Sequence, residues 1–349
     1  MRARGPEPAA TSRRRFLQLL GVLAVGGRTL LRSGDVRAAT EAAKAALADP
    51  ALPPMSHRTL GRTGFRASRL VFGCGAALSG APNDRLLESA REAGINVFDV
   101  GYRGYYDDAE KNLGPFARRH RSEIFLISKA QVAPELDPGQ SIGSAQAKRS
   151  AAGWREQLEG SLRELGVEQL DAYYVMAANN PSIVGSDEIR AEFERARRDG
   201  KVRFLGLSTH QNAERVLDAA IRSGAYDLAM IAITPGGWYD WAGKSLLAGS
   251  PPMRQLAPRL ARAREAGIGL IGMKAGRYLA GRRFFGWGNP DAFDEYYGEA
   301  LLRSSLTPFQ RSYAYVLEHG LDAVNADMQS LAHLRENVVA AATAHEYFA

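Results

Sequence analysis

The chain reads as an α/β protein, a (β/α)8 TIM barrel opened by an amino-terminal β-hairpin. Three observations carry that reading. From His57 onward, short β-branched and aromatic runs alternate with longer amphipathic segments, eight strand–helix units in all. Strict alternation of this kind implies a parallel sheet, and eight units suit a closed barrel better than an open doubly wound sheet. No G-x-G-x-x-G turn follows the first strand, which weakens a dinucleotide-binding open sheet further.

Before the barrel lies a segment of a different kind. Ser12-Arg13-Arg14-Arg15-Phe16-Leu17 leads into a modest apolar run to Val25, and Val36-Arg37-Ala38 ends it with small residues. Residues 1–38 look like a twin-arginine signal peptide, recognised by the twin-arginine export machinery, so the expected location is periplasmic or otherwise exported. The apolar run is too short to serve as a permanent membrane anchor. Eight arginines against Glu7 and Asp35 give this segment +6 of the chain's formal +7, leaving +1 for the remainder. The basic character therefore belongs to the signal, and nothing supports nucleic-acid binding by the folded domain. This route carries folded proteins, which suits a chain that loads a cofactor before export. Residues 39–56, Ala-rich with Pro50, Pro53 and Pro54, read as a linker, and residues 57–349 as the barrel. The single cysteine, Cys74, excludes an intramolecular disulfide and any four-thiolate cluster from this chain alone, and it reads as a small buried residue.

Within the barrel the elements follow in order. His57 to Cys74 alternates apolar and polar residues around Gly61 and Gly64, a hairpin and then the first strand. Helix 83–93 leads to strand 95–99, whose Asp99 closes it with a carboxylate. Tyr102, Tyr105 and Tyr106 follow in a Gly-punctuated loop, and Asp107, with Glu110 three residues on, is expected to cap a helix reaching 119. Strand 124–128 ends in Lys129, and helix 147–165 follows. Strand 170–176 precedes helix 187–199, strand 202–208 helix 211–223, and strand 226–233 an aromatic loop and helix 253–266. Strand 267–274 is followed by a loop of some thirty residues and helix 307–319, then a strand near 321–326 and a final helix from 330. In a parallel barrel the active site sits at the carboxyl ends of the strands, so Asp99, Lys129, Met176, Ser208, Lys274 and Asn325 should ring one mouth. Trp238, Tyr239 and Trp241 in one loop, and Phe284, Phe285 and Trp287 in the long one, are candidates to roof it.

In order and spacing, the motifs RTLGRTGFRASRLVFGCG, GINVFDVGYRGYYDDAEKNLG, IFLISK, VRFLGLSTH, GIGLIGMK and LAHLREN resemble the aldo-keto reductase family over nearly all of residues 57–345. The likeness is greatest to a bacterial branch with GLSTH-like and GMK-like sequences. The resemblance implies hydride transfer between a nicotinamide cofactor, NADP or NAD, and a small-molecule carbonyl substrate, with no metal. A tyrosine would act as general acid, supported by a lysine, an aspartate and a histidine. A phenol is a poor donor at neutral pH, and a nearby ammonium should bring its pKa toward the working range. Carried over by position, the aspartate is Asp99 and the lysine Lys129. For the tyrosine, counting back from DDAEKNLG selects Tyr106 and counting forward from Asp99 lands nearer Tyr105. The helix start is the firmer anchor and favours Tyr106.

Departures from the family pattern are concentrated at the mouth. Where the family has its histidine, the fourth strand ends in Met176, which neither titrates nor donates. His210 could lean in from the neighbouring strand or simply cap a helix in solvent. The Ser-Asn pair that holds the nicotinamide amide becomes Ser208-Thr209, a glutamine becomes Met230, and the aromatic that stacks on the nicotinamide corresponds to Ile233. Lys274 could contact the diphosphate. Near the carboxyl end Asp327 and His333 stand where relatives that hold a 2′-phosphate carry basic residues, an arrangement unfavourable to a phosphate. Glu336 and Asn337 match the family's adenine-end residues. The lost polar groups leave a second reading open, a catalytically silent barrel acting as an exported binding or accessory protein.

Overall fold

The computed structural model describes residues 52–134, 136, 139–280 and 288–348. The expected signal peptide, most of the expected linker, and Phe284, Phe285 and Trp287 lie outside the described residues.

A two-stranded antiparallel hairpin, β1 (His57–Thr59) and β2 (Arg66–Ser68), precedes eight parallel strands. These are β3 (Leu70–Gly73), β4 (Val97–Asp99), β5 (Phe125–Ala130), β6 (Leu170–Val175), β7 (Val202–Thr209), β8 (Leu228–Thr234), β11 (Gly269–Met273) and β12 (Ala323–Asp327). They pair in the order β8-β11-β12-β3-β4-β5-β6-β7, and the β7–β8 pairing closes the barrel. An antiparallel excursion, β9 (Gly237–Asp240) with β10 (Ser245–Leu246), extends from β8 at the mouth. Eight helices sheath the strands: α1 (Asp84–Glu92), α2 (Ala109–Arg119), α3 (Ser144–Leu165), α4 (Asp187–Arg198), α5 (Ala213–Ser223), α6 (Met253–Glu265), α7 (Pro308–Glu318) and α8 (Leu331–Thr343).

Local chemistry sets their ends. Asn83, Ser186 and Ser330 each accept a first-turn N–H. Thr307 forms a full capping box with Gln310, with Pro308 at the first helical position.

Two apolar layers result. Leu60, Val71, Val97, Phe125, Tyr174, Leu228 and Ile271 fill the barrel, while Leu70, Phe72, Phe98, Phe116, Trp154 and their neighbours pack the strands against the helices. Leu60 comes from the hairpin, which therefore plugs the amino-terminal end of the barrel. Gly61, at φ +51°, comes so close to β11 that an added Cβ would sit 2.3 Å from the Gly269 nitrogen. Packing begins ahead of the hairpin, since Met55 is already buried in the outer layer. At this end three carboxylates, Asp171 and Asp322 buried and Asp227 half-buried, fix strand register. Asp171 accepts the Leu126 N–H at 2.8 Å, Asp227 the Leu205 N–H at 2.9 Å and Asp322 the Leu270 N–H at 2.8 Å, each reaching back to the preceding strand.

One boundary differs from the sequence reading. Asp107 does not cap a helix. The chain makes a short helical turn at Arg103–Tyr106, passes through Asp107 at φ 50°, and α2 starts at Ala109 behind Asp108, whose side chain makes no cap bond. The insertion of the Tyr106 ring into the mouth imposes this kink, and Asp108 instead pairs with Arg103 at 3.0 Å.

Candidate active site

At the carboxyl ends of the strands the barrel opens into a cavity of about 230 Å³. Five of the six residues expected to ring the mouth keep a charge or a hydroxyl or amide there, and all six, Asp99, Lys129, Met176, Ser208, Lys274 and Asn325, line it.

On its floor lies an ion pair. Lys129, on β5, donates to Asp99 Oδ1 at 2.6 Å and to the Val100 carbonyl at 2.6 Å. Asn325, on β12, donates to Asp99 Oδ2 at 2.6 Å, so both carboxylate oxygens are engaged. Lysine and aspartate are 4% and 5% exposed, an unusual burial for charges, and one that requires this mutual satisfaction. Burial pushes the Asp99 carboxyl up, and Lys129 is the first group to pull it back.

Tyr106 stands beside the pair, its ring centroid 6.0 Å from Lys129 Nζ. Glycines hold the ring on two edges. A Cβ at Gly75 would lie 2.3 Å from Tyr106 Cε1, and one at Gly101 2.7 Å from Cε2. Tyr105 does not enter the cavity: it is 47% exposed and packs edge-on against Tyr106 with centroids 4.7 Å apart. Geometry thus separates the two candidates. The expected lowering of the phenol's pKa is corrected: burial, then the Asp99 charge, pushes Tyr106 upward. Asp99 neutralises the nearby ammonium, which leaves the phenol little net positive charge to respond to.

Other expected site residues divide. Ser208 lines the cavity and its hydroxyl accepts the Ala177 N–H at 3.3 Å. Thr209 turns away, donating to the Gln211 carbonyl at 2.5 Å and to Asn179 at 3.1 Å. Met230 lines the cavity and its sulfur accepts from Asn325 at 3.4 Å. Ile233 does not face the mouth; it is buried in the outer layer, because strand alternation points Met230 and Ala232 inward. Glu336 and Asn337 lie on α8 away from the cavity lining, where Glu336 accepts from the Thr307 hydroxyl at 2.5 Å and Asn337 is buried.

Lys274 sits at the lip with φ 66°, 4.3 Å from the Trp241 ring centroid. Burial holds its pKa down, and Asp327, itself pushed up by burial, is the main charge opposing that. Trp241 also carries Lys244, at 3.0 Å, and packs 5.7 Å from the His210 ring. Trp238 instead points into the protein, donating to Glu214 at 3.1 Å, and Tyr239 is buried among the barrel-filling residues.

His210 does lean into the mouth and lines the cavity. Burial, then the ammoniums of Lys274, Lys129 and Lys244, hold its pKa down at about 4. Arg277, Phe309 and Tyr313 complete the rim and were not singled out by sequence. An i, i+4 aromatic pair at the start of the helix after the longest loop is the signal that points to the last two.

A nicotinamide dinucleotide can be tested against these residues. Lys274 and Arg277, flanking Gly276, are the cations a diphosphate needs, and Ser208 offers a hydroxyl to an amide. The cavity is below the roughly 300–1,000 Å³ of ordinary ligand sites, so it would take only the reacting end of such a molecule. The residues fit the group at its diphosphate, and at its amide they offer the Ser208 hydroxyl.

Comparison with known proteins agrees with the architecture. Residues 73–234 match the Aldo/keto reductase family profile. The uncharacterized oxidoreductase YrpG of Bacillus subtilis (strain 168) is 30% identical over 164 residues, 44% of this chain and 49% of that protein. The chain thus matches about half the length of that curated relative. Two solved structures from Pseudomonas aeruginosa, both provisionally assigned as aldo-keto reductases, superpose with TM-score 0.57. At 23% and 24% identity they cover 84% of this chain and 97% and 99% of their own, a likeness of fold.

Proposed function

We propose that this chain, whose residues 73–234 match the Aldo/keto reductase family profile, is an oxidoreductase that moves a hydride between a nicotinamide cofactor, NADP or NAD, and a small carbonyl compound or its alcohol. The buried Lys129–Asp99 pair on the cavity floor, with the Tyr106 phenol beside it, is the observation that carries this reading. Bound nicotinamide supplies the hydride chemistry. Lys274 and Arg277 would hold its diphosphate and Ser208 its amide, and Glu336 and Asn337 are the residues that match the family's adenine-end positions. Tyr106, its pKa raised, keeps its proton through the neutral range and is a loaded donor. When the proton leaves, Lys129, its Nζ 6.0 Å from the ring centroid, is a cation beside the phenolate, and Asp99 keeps that ammonium in place. Met176 replaces the family's histidine and excludes water without donating.

A second reading, the silent barrel that binds a ligand outside the cytoplasm, draws on specific features. Met176 and Met230 put thioethers where donors are expected, and the Asn325 amide is already committed to Asp99. Titration of the full chain with NADPH and with NADH, read by tryptophan fluorescence and calorimetry, separates the two. Micromolar binding supports the oxidoreductase; absence of binding by both cofactors sinks it and leaves the second reading. Export by the twin-arginine route is part of the proposal and rests on Arg13, Arg14 and Arg15. Cell fractionation of an Arg14→Lys/Arg15→Lys variant should leave the protein in the cytoplasm, and unchanged export would contradict it.

A further inference from the structure

We propose that His210 is the group that, with Tyr106, hydrogen-bonds the substrate's carbonyl oxygen, serving from the end of β7 in place of the Met176 side chain at the end of β6. The inference rests on the oxidoreductase reading and deepens it.

The polar groups of the cavity are largely committed. Lys129 is held by Asp99 and the Val100 carbonyl, Asp99 uses both oxygens, and Asn325 spends its amide on Asp99 and the Met230 sulfur. Four lining heads lack a protein hydrogen-bond partner among the described residues: the Tyr106 and Tyr313 hydroxyls, the Lys274 ammonium, which lies over the Trp241 ring at the lip, and the His210 imidazole, whose bond to protein is made through its backbone. Tyr313, on α7, belongs to the lip near Gly276 rather than to the floor.

The base of His210 is built to be rigid. Asn179, from the loop after β6, accepts the His210 N–H at 2.9 Å, the Gln211 N–H at 3.2 Å and the Thr209 hydroxyl at 3.1 Å with one oxygen. Asn212 then returns a bond to the Asn179 carbonyl at 3.2 Å and turns the chain at φ 55° into α5. Trp241 packs 5.7 Å from the imidazole. A ring pinned at its backbone and backed by an indole loses little freedom on meeting a ligand.

Its charge state suits the role. With its pKa held at about 4, the imidazole is neutral through the physiological range, so one nitrogen carries hydrogen and can donate. Tyr106 and His210 line the same cavity of about 230 Å³, so one carbonyl oxygen bound there can accept from the two of them. His210 forms and breaks no covalent bond: the carbonyl oxygen takes its proton from Tyr106, while His210 fixes the oxygen's position and supports the charge that builds there.

The test uses the full chain with NADPH and 4-nitrobenzaldehyde. His210→Phe keeps a ring and loses the donor; kcat/KM should fall about 100-fold, as for other single donors to a developing oxyanion, with the NADPH Kd unchanged. His210→Gln keeps an N–H and should lose far less. In His210→Phe/Met176→His the family's arrangement is restored, and activity should recover at least tenfold over His210→Phe. Turnover of His210→Phe within threefold of the parent overturns the proposal. A readout independent of turnover is the His210 ring signal in ¹⁵N-histidine-labelled protein, assigned by its loss in His210→Phe. Benzamide, an unreactive carbonyl compound, should shift it in the parent and not in Tyr106→Phe. Should the parent reduce no aldehyde, the oxidoreductase reading fails by itself. The benzamide titration then decides His210 alone: a saturable shift supports its carbonyl contact, and no shift overturns it.

Discussion

Replacing Lys129 by Met keeps an unbranched apolar stem, with sulfur in place of one methylene, and removes the ammonium. Asp99, 5% exposed, is left with Asn325 as its one side-chain partner, and the Val100 carbonyl loses its donor. Breaking a buried pair this way costs about 3–5 kcal/mol, because the remaining charge is stranded. The cost must depend on pH. Burial already raises the Asp99 pKa, and Lys129 is the first group opposing that, so the variant's carboxyl is raised further. A carboxyl with a raised folded pKa contributes stability fully present below its unfolded value, near 3.9, and lost as pH rises through the folded value. The destabilisation by Lys129→Met should therefore shrink on acidification, by up to about 1.4 kcal/mol for each pH unit below the folded pKa. Urea unfolding of parent and variant at pH 8 and pH 5.5 measures the difference, and Lys129→Met/Asp99→Asn should recover much of the loss at pH 8. The variant should still fold, since domains hold roughly 5–15 kcal/mol in reserve, but should not turn over substrate. A cost that is the same at both pH values, or none at all, would refute the stranded-charge argument.

Gly75→Ala places a methyl 2.3 Å from the Tyr106 ring; carbonyl reduction should fall about 100-fold while the melting temperature drops only slightly, as kinetics and calorimetry would show. Glu110, buried behind β5 and accepting from the Ser128 hydroxyl at 2.6 Å, is raised to about 7, mainly by burial. Its contribution to stability is full below about 4.5 and is lost as pH rises through about 7. Glu110→Gln should therefore remove a decline of about 3 kcal/mol between pH 5 and pH 8, read by urea unfolding at both. Equal pH dependence in parent and variant would mean that Glu110 is ionised in the fold.

The barrel was legible because its signals are local and repeated: apolar runs such as Phe125–Ala130 and Leu228–Thr234, and caps such as Asn83, Ser186 and Thr307. The mouth residues were legible to the extent that strand ends define them, which placed Asp99, Lys129 and Lys274. Loop geometry was not. The kink at Asp107 depends on where the Tyr106 ring finds room between Gly75 and Gly101, residues 31 and 5 positions away in sequence. Which face Ile233 takes depends on a one-residue register that no motif declares. The upward shift of the Tyr106 pKa was hidden for another reason: sequence shows the lysine and the aspartate, but only the fold shows that they cancel.

The most direct test of the central claim is single-turnover reduction of an aldehyde panel by the NADPH-loaded parent, Tyr106→Phe and Tyr105→Phe. Expected are turnover by the parent, a loss of at least about 100-fold in Tyr106→Phe, and activity within threefold of the parent in Tyr105→Phe. Parent-like turnover by Tyr106→Phe would contradict it.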